Sequence, residues 1–247
     1  MAGTLSCPPH FYIMERVITL FNGLRLYVDS REQPSFVPWL LADFAMLKGN
    51  KSVIEFCSGN GAASFWAIDH GLQGEVTLLD NRESVLKLSE KTVSENRLTG
   101  VSFVCEDLER FSTSKKYDAV MCNPPFFAES IQSLDLDQRA IRHESGTMMD
   151  LVCEKASKAL KQKGHFYVCH IPTRTIELLL TLEKYHLKAK KMRLCRNTKD
   201  STPFLILLDA MYMGGEGLQI LPDLIVKDQN GEDTEEIRRI MKGKPYG

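Results

Sequence analysis

The chain has 247 residues, 43% of them hydrophobic and 26% charged, with a formal net charge of −1. These are the proportions of an ordinary globular protein, long enough to bury roughly 70–75% of its unfolded surface, and a single elaborated domain is expected because no linker-like stretch divides it. No apolar run approaches the roughly twenty residues that span a membrane, and the start, with Cys7-Pro8-Pro9-His10, lacks the basic and apolar regions of a signal peptide, so a cytoplasmic protein is expected.

The N-terminal part is the least regular. Met14 to Phe21 has helical spacing, and Asn22-Gly23 then predicts a tight turn into a strand, Leu24-Arg25-Leu26-Tyr27-Val28. Pro38 suits the first turn of a second helix running to about Leu47, with Leu40, Leu41, Phe44 and Leu47 on one face. From Ser52 the pattern becomes regular. Strands are predicted at 52–56, 75–79, 101–104, 117–122, 164–171, 189–194 and 204–212. Helices are predicted at 62–70, 82–96 (Asn81 as N-cap), 148–161 and 174–185. In the tail, Asp233-Thr234-Glu235-Glu236 has the spacing of a capping box with Asp233 as the cap. Strands alternating with helices mean right-handed crossovers. The fold class expected is α/β: a doubly wound, mostly parallel seven-stranded sheet, with the last two strands an antiparallel hairpin at one edge. The organisation expected is an N-terminal extension (1–48), a core (49–213) and a C-terminal tail packed on it (214–247).

The seven cysteines (Cys7, Cys57, Cys105, Cys122, Cys153, Cys169, Cys195) are scattered and form no C-x-x-C pair, which fits a reducing compartment without disulfides. His165 and His170 flank Cys169 without a second cluster at ligand spacing, so no metal is expected. The overall charge does not announce a nucleic-acid binder, but Lys184, Lys188, Lys190, Lys191, Arg193, Arg196 and Lys199 fall in one stretch without an acid. That run reads either as phosphate contacts or as a solvated helix end and strand.

Glu55-Phe56-Cys57-Ser58-Gly59-Asn60-Gly61 lies where the first core strand meets its helix, the place where doubly wound sheets bind ligands. The glycines let backbone approach a ligand, and the helix N-terminus adds N–H groups. Asp80 ends the second core strand about twenty residues after Gly59, where a carboxylate accepts ribose hydroxyls, and Asp107 follows the third strand, placed for an adenine amino group. Together these point to an adenosine-containing cofactor lined by Glu55, Cys57, Gly59, Gly61, Asp80, Asn81, Asp107, Leu108 and Asn123. Ser64 stands where a dinucleotide fingerprint wants its third Gly or Ala, which favours S-adenosyl-L-methionine.

The fourth strand ends in Asn123-Pro124-Pro125-Phe126. Two prolines stop the ladder, and the Asn amide, backbone carbonyls and an aromatic ring are offered together. With this motif the chain resembles the class I S-adenosylmethionine-dependent methyltransferases that modify amino groups, with their [D/N/S]-P-P-[Y/F/W] signature. More narrowly, it is similar to the bacterial tRNA (adenine-N6) methyltransferases acting on the adenosine 3′ to the anticodon of valine tRNA. Arg139-Ala140-Ile141-Arg142-His143-Glu144, in the loop after the fourth strand, resembles that group's A-R-H-E segment. His170-Ile171-Pro172-Thr173-Arg174 resembles its H-R-P-x-R turn, and Leu218-Gln219-Ile220-Leu221-Pro222 with Thr234-Glu235-Glu236-Ile237 resembles its tail. One region departs: Val37-Pro38 stands before Leu40-Leu41-Ala42, where the family usually has Asp-Ala. The resemblance implies a monomeric enzyme with Asn123, Pro124, Pro125 and Phe126 gripping the target base. It also implies tRNA contacts from Arg139, Arg142, His143, Arg174, Arg193, Arg196 and Lys199. A guanine-N2 rRNA methyltransferase, a protein glutamine methyltransferase and a methyltransferase-like RNA-binding protein without turnover remain alternatives.

Overall fold

The structure, a computed structural model, describes residues 15–29, 35–124 and 138–242, with the side chains of 138–147 and 242 outside the description. The first element is a hairpin, β1 (Glu15–Thr19) with β2 (Arg25–Asp29), paired antiparallel. The helix expected at 14–21 is therefore a strand. Val17, Ile18 and Thr19 are β-branched and sit before an Asn-Gly turn, and cross-strand pairing overrides an apolar spacing that fits either period over so short a run. Asp69 fixes the turn by accepting the N–H groups of Asn22 and Leu24 at 2.9 and 3.2 Å.

Helix α1 (Val37–Ala45) carries Pro38 in its first turn and buries Leu40 and Leu41 completely. It is followed by β3 (Val53–Phe56), α2 (Ala62–Asp69), β4 (Val76–Asp80), α3 (Glu83–Glu95), β5 (Val101–Cys105) and β6 (Tyr117–Cys122). Then come α4 (Gln138–Ala159), β7 (Leu160–His170), a single 3-10 turn at Pro172–Arg174, α5 (Thr175–Lys184), β8 (Leu187–Arg196) and β9 (Pro203–Tyr212). The tail adds β10 (Gln219–Ile220), β11 (Leu224–Ile225) and α6 (Glu235–Lys242). Asn81 does not cap α3: Arg82 occupies the N-cap position, and Asp80 Oδ1 accepts its N–H at 3.0 Å. The fourth helix begins at Gln138 rather than 148, so Arg139, Arg142 and His143 lie on a helix and not in a loop; their side chains are outside the described residues. In the tail, Thr234 caps α6 in place of Asp233, its Oγ1 accepting from Ile237 N–H at 3.3 Å and donating to Ile225 O at 2.7 Å.

One nine-stranded sheet runs β10-β8-β9-β7-β6-β3-β4-β5, with β11 also on β8. Strands β5, β4, β3, β6 and β7 are parallel neighbours, and β9 is antiparallel to both β7 and β8. The predicted hairpin is present, but β8 is not the edge, because β10 and β11 extend the sheet beyond it. The core splits across the sheet. One apolar layer holds Leu40, Leu41, Phe65, Leu78 and Met121; the other holds Phe56, Val120, Val152, Phe166 and Leu178. Strands β3 and β4 are buried at every position, as parallel strands covered by helices on both faces must be.

Candidate functional site

Phe56 pairs in register with Leu79 and with Cys122, and Cys122 with Val168. The next residue on each strand is Cys57, Asp80, Asn123 and Cys169, so these four form one row across the carboxyl ends of the sheet. Gly59 and Gly61 follow immediately with φ of 54° and 74°. A Cβ at Gly61 would lie 2.7 Å from Leu78 Cδ1, so only glycine lets this loop turn over β4. The loop is tied down by Gly59 N–H donating to Asp80 Oδ2 at 2.7 Å and by Gly61 N–H donating to Ser58 O at 2.8 Å.

Glu55 is buried beneath the loop, and its Oε2 accepts from Ser64 N–H at 3.0 Å in the first turn of α2. Burial pushes its carboxyl up to about 7, against the opposing pull of Ser64. Asp80 is also buried, and its Oδ1 accepts from both the backbone N–H and the Nε of Arg82, at 3.0 and 3.1 Å. Asp107 is exposed one strand further along and accepts from Glu109 N–H at 2.8 Å, with Leu108 buried behind it. Asn81 is exposed, and Cys57, half-buried, has left-handed backbone with φ of 53°. The structure thus brings Glu55, Cys57, Gly59, Gly61, Asp80 and Asn123 to one place.

Asn123 is half-buried and Pro124 buried at the end of β6. Pro125 and Phe126 lie outside the described residues. Three neighbours of the site escaped sequence reasoning. Ser58 Oγ is buried without a hydrogen-bond partner. Arg82 has its Nη2 3.6 Å from where a Gly59 Cβ would stand, and Cys169 lies beside Asn123 at 3.0 Å. Ser58 lies within the glycine loop and Arg82 two residues after the strand-ending acid, so both sit by recognisable motifs, whereas nothing local marks Cys169.

The arginines expected to meet RNA are differently placed. Arg193 holds Glu236 through both terminal nitrogens at 2.7 and 2.8 Å, and its Nε donates to Pro222 O at 2.9 Å. Arg196 Nε pairs with Asp223 at 2.5 Å. Both side chains fasten the tail to β8, so their guanidinium groups are already occupied. Arg174 is paired with Glu177 through Nε at 2.7 Å. The acid-free run is met by acids from elsewhere: Lys184 by Asp150 at 2.7 Å and Lys188 by Glu183 and Glu216 at 2.6 and 2.7 Å. Lys191 and Lys199 are exposed.

Among the described residues, no group of three or more His, Cys, Asp or Glu side chains is arranged to hold a metal ion, and no helix is long and apolar enough to cross a membrane.

A glycine loop over the carboxyl end of β3, an acid ending β4 and this strand order define a class I methyltransferase fold. The chain belongs to the methyltransferase small domain family, whose model matches residues 38–192. It is 22% identical over 160 residues to a tRNA1(Val) (adenine(37)-N6)-methyltransferase of Shewanella halifaxensis, with 63% of each chain covered. It is 21% identical over 206 residues to the protein of that name from Bacteroides thetaiotaomicron, covering 82% of this chain and 86% of the relative. The chain thus spans 63% of the length of the first relative and 86% of the second. A crystal structure of a predicted O-methyltransferase from Agrobacterium tumefaciens superimposes with a TM-score of 0.66 at 14% identity, over 85% of this chain and 97% of that one.

The family is one of methyltransferases, and its cofactor is S-adenosyl-L-methionine. The residues present fit that cofactor. The orphaned Ser58 hydroxyl offers a polar contact, Gly59 leaves the loop without a side chain beside Asp80, and Glu55 and Asp80 are carboxyl groups that suit a cofactor bearing positive charge and hydroxyls.

Proposed function

We propose that the chain methylates the N6 amino group of an adenine in tRNA, adenosine 37 of valine tRNA being the position its relatives' names suggest. The observation that carries this reading is the placement of Asn123, with Pro124 directly after it, in the same row as Asp80 and one strand from the glycine loop. S-adenosyl-L-methionine supplies an electrophilic methyl group when bound.

The residues proposed to hold it are Glu55, Cys57, Gly59, Gly61, Asp80, Asn81, Asp107 and Leu108, with Asp80 facing the ribose and Asp107 the adenine amino group. The substrate amine is a poor nucleophile because its lone pair is delocalised into the ring. Asn123 Oδ1 and the Pro124 carbonyl accept its two hydrogens, which favours a tetrahedral nitrogen with the lone pair directed to one side. Holding that nitrogen in place accounts for much of the acceleration. Phe126, by the resemblance of the motif, stacks on the base, worth roughly 1–3 kcal/mol; extruding the base costs a few kcal/mol. No strong base is needed, since the nitrogen becomes acidic once it carries the methyl group.

For RNA contacts, the reading keeps Lys199 and, by resemblance, Arg139, Arg142, His143 and Arg174. It assigns Arg193 and Arg196 to the tail. The protein acts as a monomer in the cytoplasm in this reading. The test is incubation with labelled S-adenosyl-L-methionine and bulk tRNA, followed by nucleoside analysis. Label in N6-methyladenosine is the expected result. Label in N2-methylguanosine or only in protein overturns the assignment.

A further inference from the structure

Asn123 faces an orientation problem that its own sequence creates. A carboxamide has an accepting end and a donating end of nearly the same shape, and only the accepting end can hold an amine's hydrogens. In loops, an Asn oxygen is commonly fixed by the backbone N–H two residues on. Here residues 124 and 125 are both proline and have no N–H to give. The orienting donor must come from elsewhere in the fold.

Across the sheet stands Cys169. Its Sγ lies 3.0 Å from Asn123 Oδ1 and 4.0 Å from the carbonyl of Cys122. The side chain is fully buried, in the apolar layer that also holds Tyr167, Cys195 and Leu207. Burial raises the thiol far above its ordinary range, so it keeps its proton and remains a donor at any working pH.

We infer that Cys169 is a positioning residue for the methyl-transfer site: its thiol donates to Asn123 Oδ1 and turns the carboxamide so that the oxygen's second lone pair faces the incoming amine. The inference rests on the reading of Asn123 as the amine clamp. A flipped amide would set its NH2 against the substrate NH2, two donors facing each other. Cys169 removes that arrangement without touching substrate or cofactor.

The test has a kinetic arm and a spectroscopic arm. Losing one neutral hydrogen bond that sets an active geometry should lower kcat for Cys169→Ala about three- to tenfold. Cofactor affinity by calorimetry should stay unchanged, and Cys169→Ser should recover most of the loss. In an Asn123→Asp background the same Cys169→Ala change should have no effect, because a carboxylate presents oxygen either way round. An equal loss in both backgrounds would mean that Cys169 serves packing alone, and overturns the inference. Independently of any substrate, the S–H stretching band removed by Cys169→Ser should move to higher frequency in Asn123→Ala, as its acceptor is lost. A band that does not move also overturns the inference. A band that shifts in Asn123→Ala while the wild-type protein labels no RNA upholds the contact and rejects the adenine reading.

Discussion

On one side of β6, strands β3 and β4 are buried along their whole length, and the loop above them is held by backbone bonds to Asp80 and Ser58. On the other side, β8 carries a basic run half open to solvent, and its outer neighbours are two strands of two residues each. The first region is shaped by sterics and desolvation. The second is held by charge. Arg193 reaches Glu236, Arg196 reaches Asp223, and Arg239 of α6 reaches Asp43 of α1 through both terminal nitrogens at 2.5 and 2.8 Å. Two arginines of the basic run, Arg193 and Arg196, thus face an intramolecular seam, while Lys184, Lys191 and Lys199 stay exposed. The counter-charges of Arg193 and Arg196 come from 43 and 27 residues away, so a run of like charge read in the linear sequence does not show which of its members are already paired.

The largest effect expected on the first region is loss of turnover. Asn123→Ala removes one of the two groups proposed to hold the amine, and removing a preorganised hydrogen-bond partner typically costs about 10²–10³-fold in kcat. Calorimetric affinity for S-adenosyl-L-methionine should be preserved. Activity near the wild-type level would return Asn123 to a strand-ending role.

Next comes Glu55, whose raised carboxyl makes stability depend on pH in an unusual direction. Its folded value of about 7 lies above the ordinary 4.5, so between those pH values the folded state binds more protons than the unfolded one. Stability from this group is fully present below pH 4.5 and is lost as pH rises through 7. The shift corresponds to about 3 kcal/mol. Glu55→Gln should therefore melt higher than wild type at pH 8, by several degrees at roughly 2–4 °C per kcal/mol, with the gap closing toward pH 5. The same variant should bind S-adenosyl-L-methionine more weakly at pH 8. A melting difference that is flat with pH would show that Glu55 is ionised and well compensated.

Arg193→Met tests the opposite flank. Its side chain is 16% exposed and its partner Glu236 32%, between the surface limit of 0–1 kcal/mol and the buried limit of 3–5 kcal/mol for a broken pair, so about 2 kcal/mol is expected. The effect should appear as a lower melting temperature and faster proteolysis of the tail. The salt slope of tRNA binding should hardly change, whereas loss of a phosphate contact would reduce it by about one.

The same contrast explains what could be read from the chain. Val53-Ile54-Glu55-Phe56 and Val76-Thr77-Leu78-Leu79-Asp80 are short apolar runs ending in turns or acids, and the spacing from Gly59 to Asp80 follows from the length of one crossover. Such features are local, and strand, loop and acid all fell where expected. Short or balanced signals were not decisive. Met14, Val17, Ile18 and Phe21 match helical spacing, although the Asn22-Gly23 turn was the better clue. Gly146 reads as a poor helix former, yet α4 continues through it from Gln138. Asp233 and Thr234 are both competent caps, and the choice is made by Ile225 O, nine residues back. The bond between Cys169 and Asn123 joins residues 46 apart and depends on strand register, which no window of sequence contains.

The smallest effect expected is at the boundary between local and distant signals, at Arg82. An ionised carboxylate has about four acceptor directions. At Asp80, Gly59 N–H takes one, and the backbone N–H and Nε of Arg82 take two more. One direction is left, whereas gripping both ribose hydroxyls requires two. The proposed ribose contact therefore requires the Arg82 side chain to swing off Asp80. The Arg82 side chain is 55% exposed and that of Asp80 5%, so loosening this one contact costs about 1 kcal/mol, the upper end of the range for exposed pairs. Arg82→Ala removes the competitor and leaves the backbone N–H in place, which should tighten S-adenosyl-L-methionine by about two- to fivefold, an advantage that shrinks as added salt loosens the wild-type pair. Weaker binding in Arg82→Ala would instead mean that the guanidinium itself contacts the cofactor, making Arg82 a ligand that the strand-ending acid holds in readiness.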